Sequence, residues 1–276
     1  MYPQKLEFER NTAYYRESDC FDGTDAHLVH AYLHLDYTLK LHAHQFCEIN
    51  IIVGGEGRHY IGDTSLPACV GDVFIIPPEV AHGYYSHGTL DIAHILLRAD
   101  FFTRYREELS HLPAFSLLFD IEPQVRRASG RNYNLHVAPH ELPGITEEVK
   151  RLCGAERALQ HTYENVLTLG LIGRLGELLR KSTLPATDGE LLRVMEYIRE
   201  NLEQKLTLAL LAAKANMSVA TLNRHFREVL HTSPMQYVMQ CRLDKARALV
   251  AQGRQSKSEI AQSCGFFDVS HMNKYL

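Results

Sequence analysis

No stretch of this chain is apolar for long enough to cross a bilayer. The most apolar helical-looking segment, Leu167 to Leu179, is interrupted by Arg174 and Glu177, whereas a spanning helix needs roughly 20 mostly apolar residues. The first ten residues, MYPQKLEFER, contain no apolar h-region, so no secretory signal is read there. CxxC pairs are missing too. The six cysteines (Cys20, Cys47, Cys69, Cys153, Cys241 and Cys264) are scattered, and without an export signal they are expected to be reduced thiols, several of them core fillers. Short-period repeats are absent, which sets repeat arrays aside. A cytoplasmic protein is expected, with no membrane partner.

What is present fits a soluble globular chain. Its 276 residues are 45% hydrophobic and 22% charged, enough for two ordinary domains of about 150 residues each. The net charge of −4 is unevenly spread. Residues 190–276 carry 12 Lys and Arg against 8 Asp and Glu, while residues 1–189 carry 17 against 25. A mildly basic end on an acidic body suits a phosphate-contacting module joined to something else.

From Leu28 to Leu97 the pattern is that of β structure. Glu48–Val53, Arg58–Ile61, Val73–Ile76 and Ala93–Leu97 are rich in Ile, Val and Tyr, and Gly54-Gly55, Gly62-Asp63, Gly71-Asp72 and Pro77-Pro78 read as turns between strands. Strands at this spacing predict an antiparallel sandwich or barrel. From Pro139 to Lys181 the period becomes helical, with Leu142, Ile145, Val149 and Leu152 on one stripe and Val166, Leu169, Ile172, Leu175 and Leu179 on another. These two helices are expected to pack on the β domain or on a second subunit. Lys181–Gly189 (KSTLPATDG) reads as a linker.

Beyond it, Leu191, Val194, Met195, Ile198 and Leu202 mark an amphipathic helix. Thr207 can cap a short helix carrying Leu208, Leu211 and Ala212, Asn216 tolerates the left-handed exit, and Ser218 caps a second helix with Leu222, Phe226 and Leu230 on one face. That is a helix-turn-helix signature, and it occurs twice. Ser258-Glu259-Ile260-Ala261 begins a short helix closed by Gly265, Phe266 points inward, and Asp268 caps a helix from Val269. Ser233-Pro234 opens the connecting helix, whose buried stripe is Val238, Leu243, Ala246 and Leu249.

This C-terminal region resembles the DNA-binding domain of the AraC/XylS family over roughly residues 190–276. The landmarks are Ser233-Pro234, Arg242-Leu243 with Ala246, and Ile260-Ala261 followed by Gly265-Phe266. The resemblance implies two recognition helices entering successive major grooves of double-stranded DNA. By position, the groove-facing residues are Ser218, Val219, Ala220, Asn223 and Arg224 in the first and Ser270, His271, Asn273 and Lys274 in the second, with Arg227 on phosphate. Asn can pair both edges of adenine and Arg both acceptors of guanine; a solvated helix face is the plainer reading for any one of them. His231 stands where the family usually has Gly, and Lys257 where it is usually aliphatic. The chain reaches Leu276 eight residues into the second recognition helix, so a shortened second unit with weak or single-site DNA binding is expected.

In the β region, His42-x-His44-x-x-x-Glu48, then Gly55, and Gly71-(x5)-Pro77-(x4)-His82 resemble both cupin motifs. His42 and His44 share a face because strand side chains alternate. Three imidazoles and a carboxylate suit Zn, Fe, Mn or Ni; the same residues can instead hydrogen-bond a ligand or support the barrel mouth. Tyr60 and Tyr84 join His42, His44, Glu48 and His82 as candidate ligand contacts, suited to a polyhydroxylated effector. The stretch from Leu112 to Pro123 also resembles sensor domains of sugar-responsive regulators of this family.

The expected architecture is therefore α+β in two domains. Residues 1–138 form a cupin-like ligand-sensing β-barrel, 139–181 a helical extension with a possible dimer contact, 182–189 a linker and 190–276 the DNA-binding domain with two helix-turn-helix units. The expected function is a ligand-responsive transcription regulator of carbohydrate utilisation genes, with activator or repressor left open. Its partners would be double-stranded DNA, a sugar effector, a second copy and, for an activator, RNA polymerase. The rival from another class is a cupin metalloenzyme, a dioxygenase or sugar isomerase with a helical tail.

Overall fold

The computed structural model describes residues 13–35, 39–61, 64–112, 114–123, 125, 135–154, 160–181, 186–253 and 255–276. The twelve N-terminal residues, the Gly62-Asp63 turn, Pro113 and the centre of the proposed linker lie outside them. The chain divides into two compact units, Met1–Ser182 and Thr183–Leu276.

The first unit is an α+β layer built on a curled sheet. Its strands are β1 (Ala13–Tyr15), β2 (Val29–His34), β3 (Leu39–His44), β4 (Cys47–Ile61), β5 (Thr64–Cys69), β6 (Asp72–Ile76), β7 (His82–Tyr85), β8 (Leu90–Leu97) and β9 (Leu135–His136). Strand β4 belongs to both halves of the curl. Its first part pairs antiparallel with β6 and β8, and its second part with β5 and β7. β1 adds parallel to β3, which pairs with β7, while β2 extends the other half through β8 and β9 through β6.

Gly54-Gly55 is thus not a turn between two strands. It is the bend within one fifteen-residue strand, where the ladder to β8 shifts register between Ile52 and Gly54. A glycine pair punctuates a turn or a bulge equally well, and the pairing partner decides between them. Gly55 has φ +71, and a Cβ there would collide with the Thr89 carbonyl. Gly55→Ala is expected to destabilise the unit by more than about 2 kcal/mol, from left-handed strain plus overpacking, measured as a lower urea midpoint.

Both faces of the sheet are covered. The inner face carries Ile52, Phe74, Ile76, Tyr84 and Ile92, all buried. The outer face buries Ile49, Ile51, Ile75 and Ile95, and α5 (Leu142–Gly154) and α6 (Gln160–Lys181) pack against β2. Strands buried on both faces read as near-continuous apolar runs, as CEINIIV does. Arg174 of α6 donates to Glu148 at 2.5 Å and to Glu141 at 3.0 Å, tying α6 to the α5 end.

The stripe expected on α6 holds at Ile172, Leu175 and Leu179, but Val166 is 56% exposed. Asn165 and Thr168 take the buried positions one residue before and two after it; the hydrophobic pattern alone could not find polar residues on the inner face. Between β8 and β9 the sequence also concealed α1-like short helices: α2 (Ala99–Arg104), α3 (Arg106–His111) and one wide turn, α4 (Leu117–Ile121), besides α1 itself (Glu17–Cys20) near the N-terminus.

The second unit is all helical: α7 (Ala186–Glu200), α8 (Leu208–Lys214), α9 (Val219–Leu230), α10 (Pro234–Gln252), α11 (Lys257–Ser263) and α12 (Val269–Asn273). α7 begins inside the segment read as linker. One glycine costs a helix only about 1 kcal/mol, too little to halt one that buries Leu191, Val194 and Met195 in its next turns. The expected caps form: Thr207 accepts from Leu210 N, Ser218 from Thr221 N, Ser233 from Gln236 N and Asp268 from His271 N. α11 starts earlier than expected, because Ser256 and Glu259 make a capping box and leave Ser258 inside the helix. On α9 the buried set is Leu222, Phe226 and Val229, with Leu230 half-buried.

His231 closes α9 at φ 52, in the left-handed region. This is why glycine is the usual residue there, and the side chain adds strain of about 1–2 kcal/mol. The extra entropy of an unfolded glycine offsets about half of that. His231→Gly is therefore expected to stabilise the unit by roughly 0.5–1 kcal/mol, seen as a rise in its Tm.

Candidate functional site

The curl of the sheet brings four of the sequence-predicted residues into one buried cluster. His42 and His82 are direct cross-strand partners on β3 and β7, His44 is two residues on, and Glu48 is the second residue of β4 after a tight Gln45-Phe46 connection. All four are at most 5% exposed. His44 Nδ1 donates to the Phe46 carbonyl at 2.7 Å, so the lone pair of a neutral ring sits on Nε2.

That lone pair faces Glu48 Oε2 at 3.3 Å and His82 Nε2 at 3.1 Å, and His82 Nε2 is 3.2 Å from the same oxygen. Three donor atoms thus form a nearly equilateral triangle. Glu48 Oε2 is completely buried yet makes no well-aligned hydrogen bond. Burial pushes the Glu48 carboxyl up, but the surrounding His44, His82 and His94 rings outweigh it and hold it well below the usual carboxylate range. Burial pushes the His82 imidazole down, against the opposing pull of Glu48.

Three neighbours were not anticipated. His94 on β8 approaches Glu48 Oε1 through Nδ1 at 2.8 Å, and Tyr32 stacks on its ring at 4.7 Å. His59 Nε2 lies 3.4 Å from His82 Nδ1, and its ring stacks on Tyr84 at 4.3 Å. Asn50 donates to the Tyr84 hydroxyl at 3.1 Å. His94 pairs with Asn50, so it shares a face with Glu48; the signal was in the alternation, but only a known register exposes it.

Tyr84 belongs to the inner face, whereas Tyr60 does not join it. Tyr60 pairs with Gly83, between His82 and Tyr84, and strand alternation turns it to the opposite face. The sequence grouped it with the cluster by its side-chain chemistry, and the parity of β4 past its bulge separates it.

In the second unit, α9 places Ala220, Asn223, Arg224 and Arg227 around one shallow surface concavity with Glu228. Val219 is 41% exposed, and Ser218 is held by its capping role. Arg224 makes only a loose pair with Glu228 at 3.9 Å, while the Asn223 amide donates to the Val219 carbonyl at 3.0 Å. Ser270 and Asn273 of α12 and Lys274 at its C-terminal cap are exposed. His271 is half-buried, edge-on between Phe266 and Tyr275 at 5.6 Å from each. Lys257 is exposed on the first turn of α11.

Two residues of the motif have structural work that spacing did not reveal. Arg242 donates to the carbonyls of Leu202 and Gln204 at 3.0 and 2.8 Å, fastening the exit of α7 to α10. Lys245 donates to the Ser263 carbonyl at 2.9 Å, closing the end of α11. Leu243, Ala246, Ile260, Phe266 and Met272 form the core beneath α11 and α12.

Comparison with known proteins bears on both units. The model of an AraC-like ligand binding domain matches residues 27–155, and that of a helix-turn-helix domain matches residues 211–276. The HTH-type transcriptional activator RhaS of Klebsiella pneumoniae is 25% identical over 239 residues, covering 84% of this chain and 81% of that protein. The "Probable transcriptional regulator LumQ" of Photobacterium leiognathi is 22% identical over 245 residues, covering 87% and 88%. Among solved structures, an apo ToxT variant from Vibrio cholerae aligns over 89% of this chain and 91% of its own, at 10% identity and a TM-score of 0.38.

Proposed function

The chain belongs to the AraC family of DNA-binding transcription regulators, and on that premise we propose that it is a sugar-responsive activator. It reads DNA with α9 first and α12 second, and it senses a mono- or oligosaccharide with the curled sheet. The observation that carries the DNA-reading part is the exposed face of α9. There Asn223, Arg224 and Arg227 surround one concavity on a helix whose opposite face is locked into the core. A rigid helix presenting both base-pairing and phosphate-seeking side chains is what major-groove readout requires.

The sugar assignment rests on the polar end of the sheet interior, where His42, His44, Glu48, His82 and Tyr84 offer donors, acceptors and aromatic faces. A second copy and RNA polymerase are the further partners in this reading, the first joined through α5 and α6. The relatives that match most of the chain are transcription regulators, and no turnover is assigned to the cluster.

The same cluster fits a divalent transition metal. Ligand atoms on one such ion, with bonds of about 2.0–2.2 Å, stand roughly 3.0–3.5 Å apart, and the triangle of His44, His82 and Glu48 has sides of 3.1–3.3 Å. His42 completes a set whose ligand atoms lie within 4.8 Å of one another. A bound ion would supply an open position for a water or hydroxyl oxygen. His94 would keep Glu48 oriented, and the Phe46 carbonyl would fix the His44 tautomer.

Selection of bound DNA from a random pool, with and without a panel of sugars, tests the whole reading. An enriched motif whose recovery changes with one sugar is expected. Recovery indifferent to every sugar would remove the carbohydrate assignment, and no enriched motif would remove sequence-specific binding.

A further inference from the structure

A second histidine cluster lies away from the buried one, where the loop before β2 meets the first turn of α6. Asp22 stands between two imidazoles. Its Oδ1 is 3.2 Å from His27 Nδ1, and its Oδ2 is 3.3 Å from His161 Nε2. The two rings stack on each other at 4.5 Å and 23°.

The loop is built to hold this arrangement. Asp22 Oδ1 accepts from Thr24 N at 2.9 Å and Thr24 Oγ1 at 2.8 Å, leaving Oδ2 directed at α6. Those bonds hold the Asp22 carboxyl down to about 2. Arg98 donates to the Thr24 and His27 carbonyls at 3.1 and 3.4 Å, and Asn165 of α6 to the Ala26 carbonyl at 3.4 Å.

His161 is the residue that calls for a ligand. Its Nδ1 is 3.2 Å from Glu164 Oε2, and its Nε2 faces Asp22 Oδ2. An ionised carboxylate only accepts, and a neutral imidazole has one N–H to give. With Nδ1–H spent on Glu164, Nε2 and Asp22 Oδ2 can face one another only if the ring carries a second proton or a metal ion takes both atoms. A carboxylate on the far nitrogen of a histidine is the usual way a metal-binding imidazole is oriented.

We propose that Asp22, His27 and His161 bind a divalent transition-metal ion of the zinc class, clamping the loop before β2 to α6. The 3.3 Å between Asp22 Oδ2 and His161 Nε2 is close to the roughly 3.4 Å separating two ligands of a tetrahedral ion with 2.0–2.1 Å bonds. Two imidazoles with a single carboxylate favour zinc, nickel or copper over calcium or magnesium, which take oxygen ligands. His27 is the weakest ligand, because its Nδ1 already accepts from the Asp22 backbone N–H at 2.9 Å and must exchange that bond for the ion. The fourth position would be a water.

This site is independent of the buried cluster, and the test separates them by position. Zinc is titrated into the full chain, purified without a His-tag and stripped with chelator, while amide exchange is followed peptide by peptide. In the wild type, zinc is expected to slow exchange by tenfold or more in residues 20–28 and 160–166. His161→Gln should abolish that protection and weaken zinc binding at this site by at least about tenfold, with His27→Gln weakening it less. Both side chains are partly exposed, so the fold should survive, and unchanged circular dichroism verifies it. If zinc leaves exchange in those two segments unchanged, or protects them equally in H161Q, the proposal is wrong and His161 is simply an imidazolium shared by two carboxylates.

Discussion

Arg224→Ala is expected to lower affinity for the selected DNA site by about 5- to 150-fold while barely changing binding to random DNA. A guanidinium paired to both acceptors of guanine contributes about 1–3 kcal/mol of discrimination. The Arg224 pair with Glu228 spans 3.9 Å on an exposed face, so releasing it costs a few tenths of a kcal/mol at most. The base contact wins by a wide margin. Arg227→Ala should behave differently, weakening all DNA alike and reducing the slope of log affinity against log salt by about 1. Asn223→Ala should cost less than Arg224→Ala, since the Asn223 amide must first leave the Val219 carbonyl. Anisotropy titrations at several salt concentrations, on selected and scrambled duplexes, read all three. Equal losses on both duplexes for Arg224→Ala would make it a phosphate contact and leave α9 without its principal reader.

The second unit was largely legible because capping is local chemistry. Thr207, Ser218, Ser233 and Asp268 each satisfy an amide three residues away, and a window of four residues contains everything that decides it. The missed start of α11 was an error inside such a window, where two serines competed and Glu259, three residues after Ser256, was the deciding signal. The curled sheet was legible as strands but not as pairings. Whether Gly54-Gly55 turns or bends depends on Asp91 and Leu90 across the ladder, some thirty-five residues away in sequence. The cluster followed the same division. His42, His44, Glu48 and His82 were found by spacing, His94 and His59 needed the register, and Tyr60 fell on the wrong face. Asp22 and His161, from opposite ends of the unit, carry no mutual signal in the sequence at all.

The second large effect is expected at Glu48. Glu48→Gln should destabilise the strand-rich unit by about 1.5–3 kcal/mol at pH 7, the usual worth of hydrogen bonds to a charged acceptor. Gln fills the same volume, so cavity formation contributes little, and the loss reports the charge that His44, His82 and His94 surround. Acid should act in two stages on the wild type with chelator present. His82 is held below its ordinary value by burial, so the stability it contributes is complete above about pH 6.5 and is lost as pH falls below that. Glu48 is held well below the carboxylate range, so its contribution is complete above about pH 4.5 and disappears as pH falls through its lowered value. The variant lacks only the second stage, and its deficit against wild type should shrink below pH 4.5 while the loss beginning near pH 6.5 persists. Urea transitions of the full chain between pH 3 and 8, followed at the β-sheet band of circular dichroism, measure both stages. A deficit that stays constant down to pH 3 would mean that Glu48 supports the sheet by shape and not by charge. Adding zinc at pH 7 then separates the roles of the cluster. A metal held by Glu48 raises the midpoint of the wild type by RT ln(1 + [Zn]/Kd) and does so far less for the variant, whereas equal shifts would place all bound zinc elsewhere.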